Sequence, residues 1–331
     1  MHYIGIDLHR RSVMIAVQDE KGVTLQIRNL DCSTPATIRR FASQYQPFEA
    51  VIEASSSYRW LYDLLVPLGD VLLAHPLRLR AIVSGRAKTD KLDAQLLASL
   101  LRADLIPKAY VPPRSYMELR ELTRARARLV RRMVQAKNEL RTLLACRNLS
   151  VPYRSPFCKS GRRWIRDLDV GKFQNGVRDE LLARMQHFDD EIAKLDGILS
   201  EISHHFPESE ALTGLYGIGL YSALLIIAEI GEPERFANGR KVGAYAGLTA
   251  RVNQSGGHCY YGHITRQGSS WLRWILVEAA MKIIRHDSGL RNFHTRIRKR
   301  SSAKVARVAV ARKLAEICWI RLKRWHLQHA A

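Results

Sequence analysis

The chain has 331 residues, of which 47% are hydrophobic, and a formal net charge of +22 at pH 7. This length allows two domains, each with its own core. No apolar run reaches the roughly 20 residues that a membrane-spanning helix needs, and the N-terminus lacks the pattern of a signal peptide. Five cysteines without CxxC spacing argue against a zinc site or a disulfide framework. We therefore expect a cytoplasmic protein with no membrane partner.

The positive charge is unevenly distributed along the chain. Residues 1–110 carry 14 Lys/Arg against 11 Asp/Glu, so they contribute only +3 and the remainder carries +19. An excess of this size indicates a polyanionic partner, most simply nucleic acid. The near-neutral N-terminal part is predicted to be catalytic, and the later parts are predicted to hold the nucleic acid.

Short apolar runs separated by turn residues predict three strands at the N-terminus, over residues 3–8, 12–18 and 22–30. The elements that follow alternate between helix and strand: a helix over 34–45, a strand over 49–53, a helix over 58–67, a strand over 71–74 and a helix beginning near Thr89. This order is typical of a ribonuclease-H-like α/β domain.

Four acidic residues stand at the ends of these elements. Asp7 ends the first strand and Glu53 ends the fourth, whereas Asp90 and Asp93 lie three residues apart and share one helix face. Each one alone has an ordinary alternative role, as a turn or helix cap, a solvated residue or a salt-bridge partner. Together they predict a site for two Mg²⁺ ions, which prefer carboxylate oxygens and can clamp a phosphodiester.

Residues 111–208 are predicted to form a coiled-coil helical hairpin. A long helix over 116–147 carries an apolar stripe, and a second stripe over 181–206 alternates steps of three and four residues. A basic loop is expected between them. Because the first helix is rich in arginine, we expect nucleic-acid contacts as well as dimerisation, with a scaffold role as the alternative. The expected contacts are Arg120, Arg124, Arg128 and Arg131.

Two glycine-containing motifs follow. Gly217-Ile218-Gly219 lies between short helical patterns and resembles a helix-hairpin-helix, whose backbone amides bind a DNA phosphate. Ser255 precedes two glycines, which would let a phosphate approach its hydroxyl closely. An ordinary turn is the alternative at both places. Arg251 and Arg266 are candidate phosphate contacts near the serine.

The segment from residue 291 to 324 carries twelve Lys/Arg against one acid, Glu316. It is predicted to form a basic amphipathic helix that binds nucleic-acid backbone with salt-sensitive affinity. Its expected phosphate contacts are Arg298, Lys299 and Arg300. Its predicted apolar stripe includes Val305, Val308, Ala309, Ala315 and Ile320.

In this order, the motifs resemble those of the DEDD-type bacterial transposases of the insertion-sequence one-ten family, which are bridge-RNA-guided DNA recombinases. The matching pieces are Ile4-Gly5-Ile6-Asp7, Ile52-Glu53-Ala54-Ser55, Lys88-Thr89-Asp90-Lys91-Leu92-Asp93-Ala94, Gly217-Ile218-Gly219, Tyr245-Ala246-Gly247-Leu248-Thr249, Gln254-Ser255-Gly256, Ile264-Thr265-Arg266-Gln267-Gly268 and Leu272-Arg273.

The resemblance implies a RuvC-like domain over residues 1–110 and a C-terminal transposase domain over 209–331. It further implies that an acidic tetrad binds Mg²⁺, that Ser255 forms a covalent phosphoserine with DNA, and that a structured RNA pairs with donor and target DNA. The tetrad maps onto Asp7, Glu53, Asp90 and Asp93. The expected partners are double-stranded DNA, this RNA and further copies of the chain, from dimer to tetramer, in which the family forms a composite site. The location that the resemblance implies is the bacterial cytoplasm, in association with the nucleoid. A metal-dependent, structure-selective nuclease that does not use the serine is the alternative function.

Overall fold

The computed structural model describes residues 1–83, 89–255 and 258–329. The chain divides into two compact units, Met1–Val111 and Pro112–Ala331. The further division of the second unit near residue 208 stays a prediction. Within the described ranges, no helix is both long enough and apolar enough to cross a membrane. Lys88, Gly256 and Gly257 of the predicted motifs lie outside the described residues.

The elements of the first unit follow nearly the order predicted from the sequence. They are β1 (His2–Leu8), β2 (Ser12–Gln18), β3 (Thr24–Asp31), α1 (Pro35–Ser43), β4 (Phe48–Glu53), α2 (Arg59–Leu65), β5 (Asp70–Ala74), α3 (Pro76–Val83) and α4 (Asp90–Arg102). Helix α3 is not predicted, because its Leu77-Arg78-Leu79-Arg80 alternation has the period of a strand.

The five strands form one sheet in the order β3-β2-β1-β4-β5. The first three strands pair antiparallel, since short turns join them, and β4 and β5 add parallel to β1. Parallel pairing needs a crossover, and α1 and α2 lie in the two crossovers. Strand β1 is therefore central and has a neighbour on each side.

Different helices cover the two faces of this sheet. Ile4 and Ile6 of β1 are buried in a core shared with α1 and α2. Because successive side chains on a strand point to opposite faces, Gly5 and Asp7 belong to the other face. Helix α4 packs on that face, against β1, β2 and β4.

The second unit is mostly helical. Its elements are α5 (Arg114–Ala145), α6 (Lys159–Asp167), α7 (Gln174–Ile202), α8 (Glu210–Thr213), α9 (Leu220–Ile230), α10 (Gly239–Tyr245), β6 (Ala250–Ser255), β7 (His258–Ile264), α11 (Ser270–Ile283), α12 (Ser288–Arg300) and α13 (Ala303–His329).

Helices α5 and α7 pack side by side in opposite directions. Arg126 of α5 pairs with Asp196 of α7, and farther along α5 Glu139 pairs with Arg184 of α7. The supercoil and the dimer expected for this segment stay predictions. The prediction of a basic loop between the helices is wrong, because the connection contains α6, whose buried Ile165 joins the core between them.

The prediction of a single amphipathic helix at the basic tail is also wrong. The chain forms two helices there, α12 and α13, separated at Ser301 and Ser302. Helix α13 buries Leu314, whereas the predicted apolar positions Val305 and Ile320 are 50% and 47% exposed. The reason is that α10, α11 and α12 all pack against α13, so its buried surface is set by three neighbours and belongs to the main core of the unit.

Candidate active site

Asp7 and Glu53 come from adjacent parallel strands. In the register between β1 and β4, Ile6 pairs with Ile52. The next residues on the two strands, Asp7 on β1 and Glu53 on β4, are therefore level with each other. Paired strands lie about 4.8 Å apart. The parallel register therefore brings the first two predicted acids together at one edge of the sheet.

Asp90 and Asp93 lie in the first turn of α4. The residue that caps this helix is Thr89, whose hydroxyl accepts a hydrogen bond from the Leu92 N–H at 3.3 Å. The alternative role of Asp90 as the cap is therefore not used, and its carboxylate is left for other contacts.

The position of α4 depends on Gly5 of β1. A Cβ atom placed on Gly5 would lie 2.0 Å from the carbonyl oxygen of Ala94 and 2.4 Å from the backbone nitrogen of Ala98. Only a residue without a side chain allows this approach. The close packing sets the first turn of α4, with its two acids, beside the end of β1.

His9 lies between two of the acids. Its Nε2 is 3.1 Å from the Asp7 Oδ2 and 3.2 Å from the Asp90 Oδ2, and one ligand atom from each of the three residues lies within 4.8 Å of the others. His9 is not predicted as a site residue from the sequence, because it stands in the turn after β1, where no periodicity marks it. Its position two residues after Asp7 is the only available signal.

The other three acids are close enough to Asp7 to affect its ionisation. Partial burial is the largest effect and raises the pKa of the Asp7 carboxyl. His9 lowers this pKa, whereas the negative charges of Asp90, Asp93 and Glu53 raise it. Burial and these like charges together outweigh the effect of His9, so the pKa of Asp7 is raised.

A cavity of about 110 Å³ opens beside these carboxylates. Asp7, Glu53 and Asp93 line it together with a cation and four leucines, which are Arg80, Leu79, Leu96, Leu97 and Leu100. The apolar side chains come from α3 and α4 and form a wall of low polarity beside the acids. Electrostatic interactions are stronger in such surroundings than in bulk water.

Ser255 is the last residue of β6, in the second unit. Strands β6 and β7 form an antiparallel hairpin in which Ser255 pairs with His258. The Ser255 backbone therefore ends β6, opposite the first residue of β7.

The base of this hairpin is held by close backbone packing. Gly268 has a φ of +83°, and a Cβ atom on it would lie 2.0 Å from the Tyr245 carbonyl oxygen. The same carbonyl accepts a hydrogen bond of 3.0 Å from the Ser269 N–H, and the Arg266 N–H donates to the Gly247 carbonyl at 3.2 Å. These contacts fix both strands to the end of α10 and the start of α11.

Two family models match this chain. Residues 4–146 match a DEDD-type model described as a transposase, and residues 209–295 match the "Transposase IS116/IS110/IS902 family". A relative from Pseudomonas aeruginosa, a probable family 20 transposase, is 28% identical across 97% of this chain and 96% of its own length. This chain belongs to the IS110 transposase family.

Other transposases match at similar coverage. The transposase for insertion sequence element IS1328 from Yersinia enterocolitica is 26% identical across 96% of this chain and 95% of its own length. The transposase for insertion sequence element IS1111A from Coxiella burnetii is 23% identical, across 97% and 89% respectively. The similarity therefore extends over both units of this transposase.

A DEDD-type transposase family implies dependence on a divalent metal, and the acidic cluster fits such an ion. Its donors are carboxylate oxygens, which hard divalent cations prefer. Asp7 is partly buried among the negative charges of Glu53, Asp90 and Asp93, which a cation would offset. The residues that would hold the ion are Asp7, Glu53, Asp90 and Asp93.

Two of the arginines predicted to contact nucleic acid have internal partners. Arg124 donates two hydrogen bonds, of 2.6 and 2.9 Å, to the carboxylate of Glu229, whose side chain is fully buried. Arg120 donates to backbone carbonyls at the end of α9. A phosphate would have to compete with these contacts. Arg128 and Arg131 are exposed on the same helix, and the Arg131 guanidinium also lies over the Trp271 ring, 4.9 Å from its centroid.

Gly217 and Gly219 line an open cavity of about 500 Å³ before the start of α9. Gly217 has a φ of +85°, and a Cβ atom on it would lie 2.7 Å from the Lys282 Cβ, whereas a Cβ on Gly219 would meet no atom within 4 Å. Lys282 also lines this cavity. Lys282 is not predicted from the sequence, because it comes from the distant helix α11.

The remaining predicted contacts lie on exposed surfaces of the second unit. Arg251, near the start of β6, and Arg266, just after β7, are exposed. On the last turn of α12, the exposed cations are Arg298, Lys299 and Arg300. Lys299 and Arg300 line a surface depression of about 300 Å³.

Proposed function

We propose that this transposase cuts and rejoins DNA strands through a covalent phosphoserine intermediate on Ser255, assisted by Mg²⁺ bound to the acidic tetrad. A structured bridge RNA encoded by the same element is proposed to select donor and target DNA. The observation that carries the proposal is the convergence of Glu53, Asp90 and Asp93 on Asp7, whose pKa their charges raise.

The strand order of the first unit supports a RuvC-like domain. Three antiparallel strands followed by two parallel ones, with β1 central, match the ribonuclease-H-like arrangement expected from the sequence. In this arrangement the carboxylates stand at the end of the central strand, on the next parallel strand and on a helix that packs over them. The proposal gives them one role, to hold Mg²⁺, which when bound would polarise the phosphodiester and stabilise developing negative charge.

Ser255 is proposed to supply the nucleophile. Its Oγ forms a bond to phosphorus, the bond between phosphorus and one sugar oxygen breaks, and the serine proton passes to a base while the leaving oxygen takes up a proton. Attack of a sugar hydroxyl on the phosphoserine reverses these changes and joins the new strand. One phosphoester replaces another at each step, so joining needs no further co-reactant. A serine hydroxyl is a weak nucleophile near neutral pH and needs such activation.

The nucleic-acid contacts complete the proposal. Exposed cations on α5, on α12 and around the β6–β7 hairpin would bind phosphates, and the Gly217 turn would act as a helix-hairpin-helix. The antiparallel α5–α7 pair would form the coiled coil through which the chain assembles into dimers or tetramers. The protein is proposed to act on bacterial DNA in the cytoplasm.

Trapping of the covalent intermediate tests the mechanism. The full chain is incubated with Mg²⁺, the element's noncoding RNA and end-labelled DNA that spans the element's end, and the products are separated under denaturing conditions. We expect a labelled protein–DNA adduct that is lost in Ser255→Ala and retained in Ser270→Ala, which changes an exposed serine on α11. Asp93→Asn should also abolish the adduct.

The alternative nuclease gives a different pattern in the same experiment. Water would be its nucleophile, so cleavage would depend on Asp93 and not on Ser255, and no adduct would form. Cleavage by Ser255→Ala at the wild-type rate would therefore reject the serine mechanism.

A further inference from the structure

His9 has no role in the proposed function, although it contacts two members of the tetrad. Its Nε2 lies 3.1 Å from the Asp7 Oδ2 and 3.2 Å from the Asp90 Oδ2. The turn that carries it is fixed, because the His9 N–H donates a 2.9 Å hydrogen bond to the Ser12 carbonyl. Asp90 is held near it by the close packing of α4 on Gly5.

We propose that His9 is a nitrogen ligand of the metal ion that Asp7 and Asp90 hold, and that the site therefore binds Mn²⁺ more selectively over Mg²⁺ than four carboxylates would. The inference rests on the proposed function, which supplies the metal. Mg²⁺ binds almost entirely through oxygen and keeps much of its water. The divalent ions of the first transition row, of which Mn²⁺ is one, also accept imidazole nitrogen as a ligand. A mixed set of nitrogen and oxygen donors shifts the preference toward Mn²⁺.

The arrangement of these side chains favours a metal ligand over a structural ion pair. The side chains of His9 and Asp90 are 43% and 58% exposed, and exposed ion pairs contribute little to stability. The three candidate ligand atoms nevertheless lie within 4.8 Å of one another, which is the spacing expected of atoms that surround one ion. The two roles also predict opposite effects of removing the imidazole.

Metal binding by the full chain and by His9→Gln tests the inference. Free Mn²⁺ is measured by electron paramagnetic resonance, Mg²⁺ binding by calorimetry, and nitrogen coordination by the electron spin-echo modulation of bound Mn²⁺. We expect the Mn²⁺ Kd of His9→Gln to rise at least about tenfold, the Mg²⁺ Kd to rise less, and the nitrogen modulation to disappear. His187→Gln, on the exposed side of α7, should change none of these.

The opposite result would overturn the inference. If His9 only offsets the charges of Asp7 and Asp90, it competes with the metal, so His9→Gln would bind both ions equally well or more tightly. Persistence of the nitrogen modulation in His9→Gln would also reject the assignment.

Two aspartate variants separate this inference from the proposed function. If Asp7→Asn and Asp93→Asn weaken metal binding and His9→Gln does not, the tetrad stands and only the role of His9 fails. If neither aspartate variant weakens metal binding, the tetrad itself is not the metal site and both proposals fail.

Discussion

Gly5 on β1 and Ala94 on α4 approach so closely that a Cβ on Gly5 would lie 2.0 Å from the Ala94 carbonyl oxygen. This contact joins two parts of the acidic cluster. Asp7 is two residues after Gly5, on the same face of β1. On α4, Asp90 lies about one helical turn before Ala94, and Asp93 immediately precedes it. The distance between the strand carboxylate and the helix carboxylates therefore depends on the absence of a side chain at residue 5.

We expect Gly5→Ala to destabilise the protein by about 1–3 kcal/mol, because the added methyl group forces β1 and α4 apart. Divalent-metal affinity should fall as well, since the helix acids move away from Asp7. Urea unfolding and metal titration measure the two effects. Gly197→Ala, within α7, is the control, because a Cβ atom on Gly197 would meet nothing within 4 Å. It should stabilise by about 0.5–1 kcal/mol. Equal stability of the two variants would contradict the role of Gly5.

The sheet and the positions of its acids are predictable from the sequence, because they follow from local patterns. Short apolar runs define β1, β2 and β4, and an acid at the end of a buried strand stands out from its apolar neighbours. The spacing of Asp90 and Asp93 places both on one helix face without any tertiary information. Parallel register then brings Asp7 and Glu53 level.

The features that were missed or wrongly predicted from the sequence depend on tertiary contacts. His9 is identified only when α4 brings Asp90 to it. Helix α6 contains only Trp164 and Ile165 as large apolar residues, and it is the core between α5 and α7 that buries Ile165. The buried stripe of α13, which includes Val310, Leu314 and Cys318, lies on a different side of the helix from the predicted one, because three packed helices decide which side is covered.

The raised pKa of Asp7 predicts how the metal-free protein responds to pH. Burial and neighbouring acids disfavour the ionised carboxylate, so the folded state binds the Asp7 proton more tightly than the unfolded state. The free energy of unfolding therefore falls as pH rises from the unfolded-state pKa of Asp7 through its raised folded-state pKa. Above that pH window, the ionised Asp7 carboxylate lowers the free energy of unfolding by its full amount.

We accordingly expect Asp7→Asn to be more thermostable than the wild type at pH 7 in EDTA, with the difference shrinking as the pH falls toward the unfolded-state pKa. Thermal unfolding at several pH values measures this. Asp104→Asn, at an exposed aspartate, is the control and should follow the wild type. Added Mn²⁺ should reverse the order, because a ligand stabilises only the form that binds it. A lower Tm for Asp7→Asn in EDTA would show that its carboxylate is stabilising without metal.

Arg124 and Arg128 lie on one helix and should behave differently. Arg124→Ala leaves the buried Glu229 carboxylate without its bidentate partner, which costs about 3 kcal/mol for a buried pair. Arg128 is exposed, so Arg128→Ala should change stability by less than about 0.5 kcal/mol. Its expected effect is on DNA binding, where loss of one phosphate contact lowers the salt dependence of the affinity by about 1 in slope.

Urea unfolding and DNA titrations at several salt concentrations test both arginines. Normal stability combined with weak DNA binding in Arg124→Ala would show that Arg124 faces the nucleic acid after all. An unchanged salt slope in Arg128→Ala would remove that residue from the binding surface.

Gly219 offers a test of the helix-hairpin-helix that does not depend on destabilising the fold. Gly219 is the N-cap of α9, and no atom lies within 4 Å of a Cβ added to it. Serine is at least as good an N-cap as glycine, so Gly219→Ser should keep the Tm or raise it slightly. Its hydroxymethyl group would extend into the cavity that Lys282 also lines, where a phosphate is expected to approach the backbone amides.

We therefore expect Gly219→Ser to bind double-stranded DNA several-fold more weakly at unchanged stability, and to lose affinity equally on different sequences, because phosphate contacts carry no base information. Lys282→Gln should act in the same direction and lower the salt slope by about 1. Fluorescence anisotropy with two unrelated duplexes measures both variants, with Gly176→Ala on α7 as the control. Unchanged affinity in both variants would make the Gly217–Gly219 segment an ordinary turn, because a bound phosphate could not avoid both the added side chain and the lost charge.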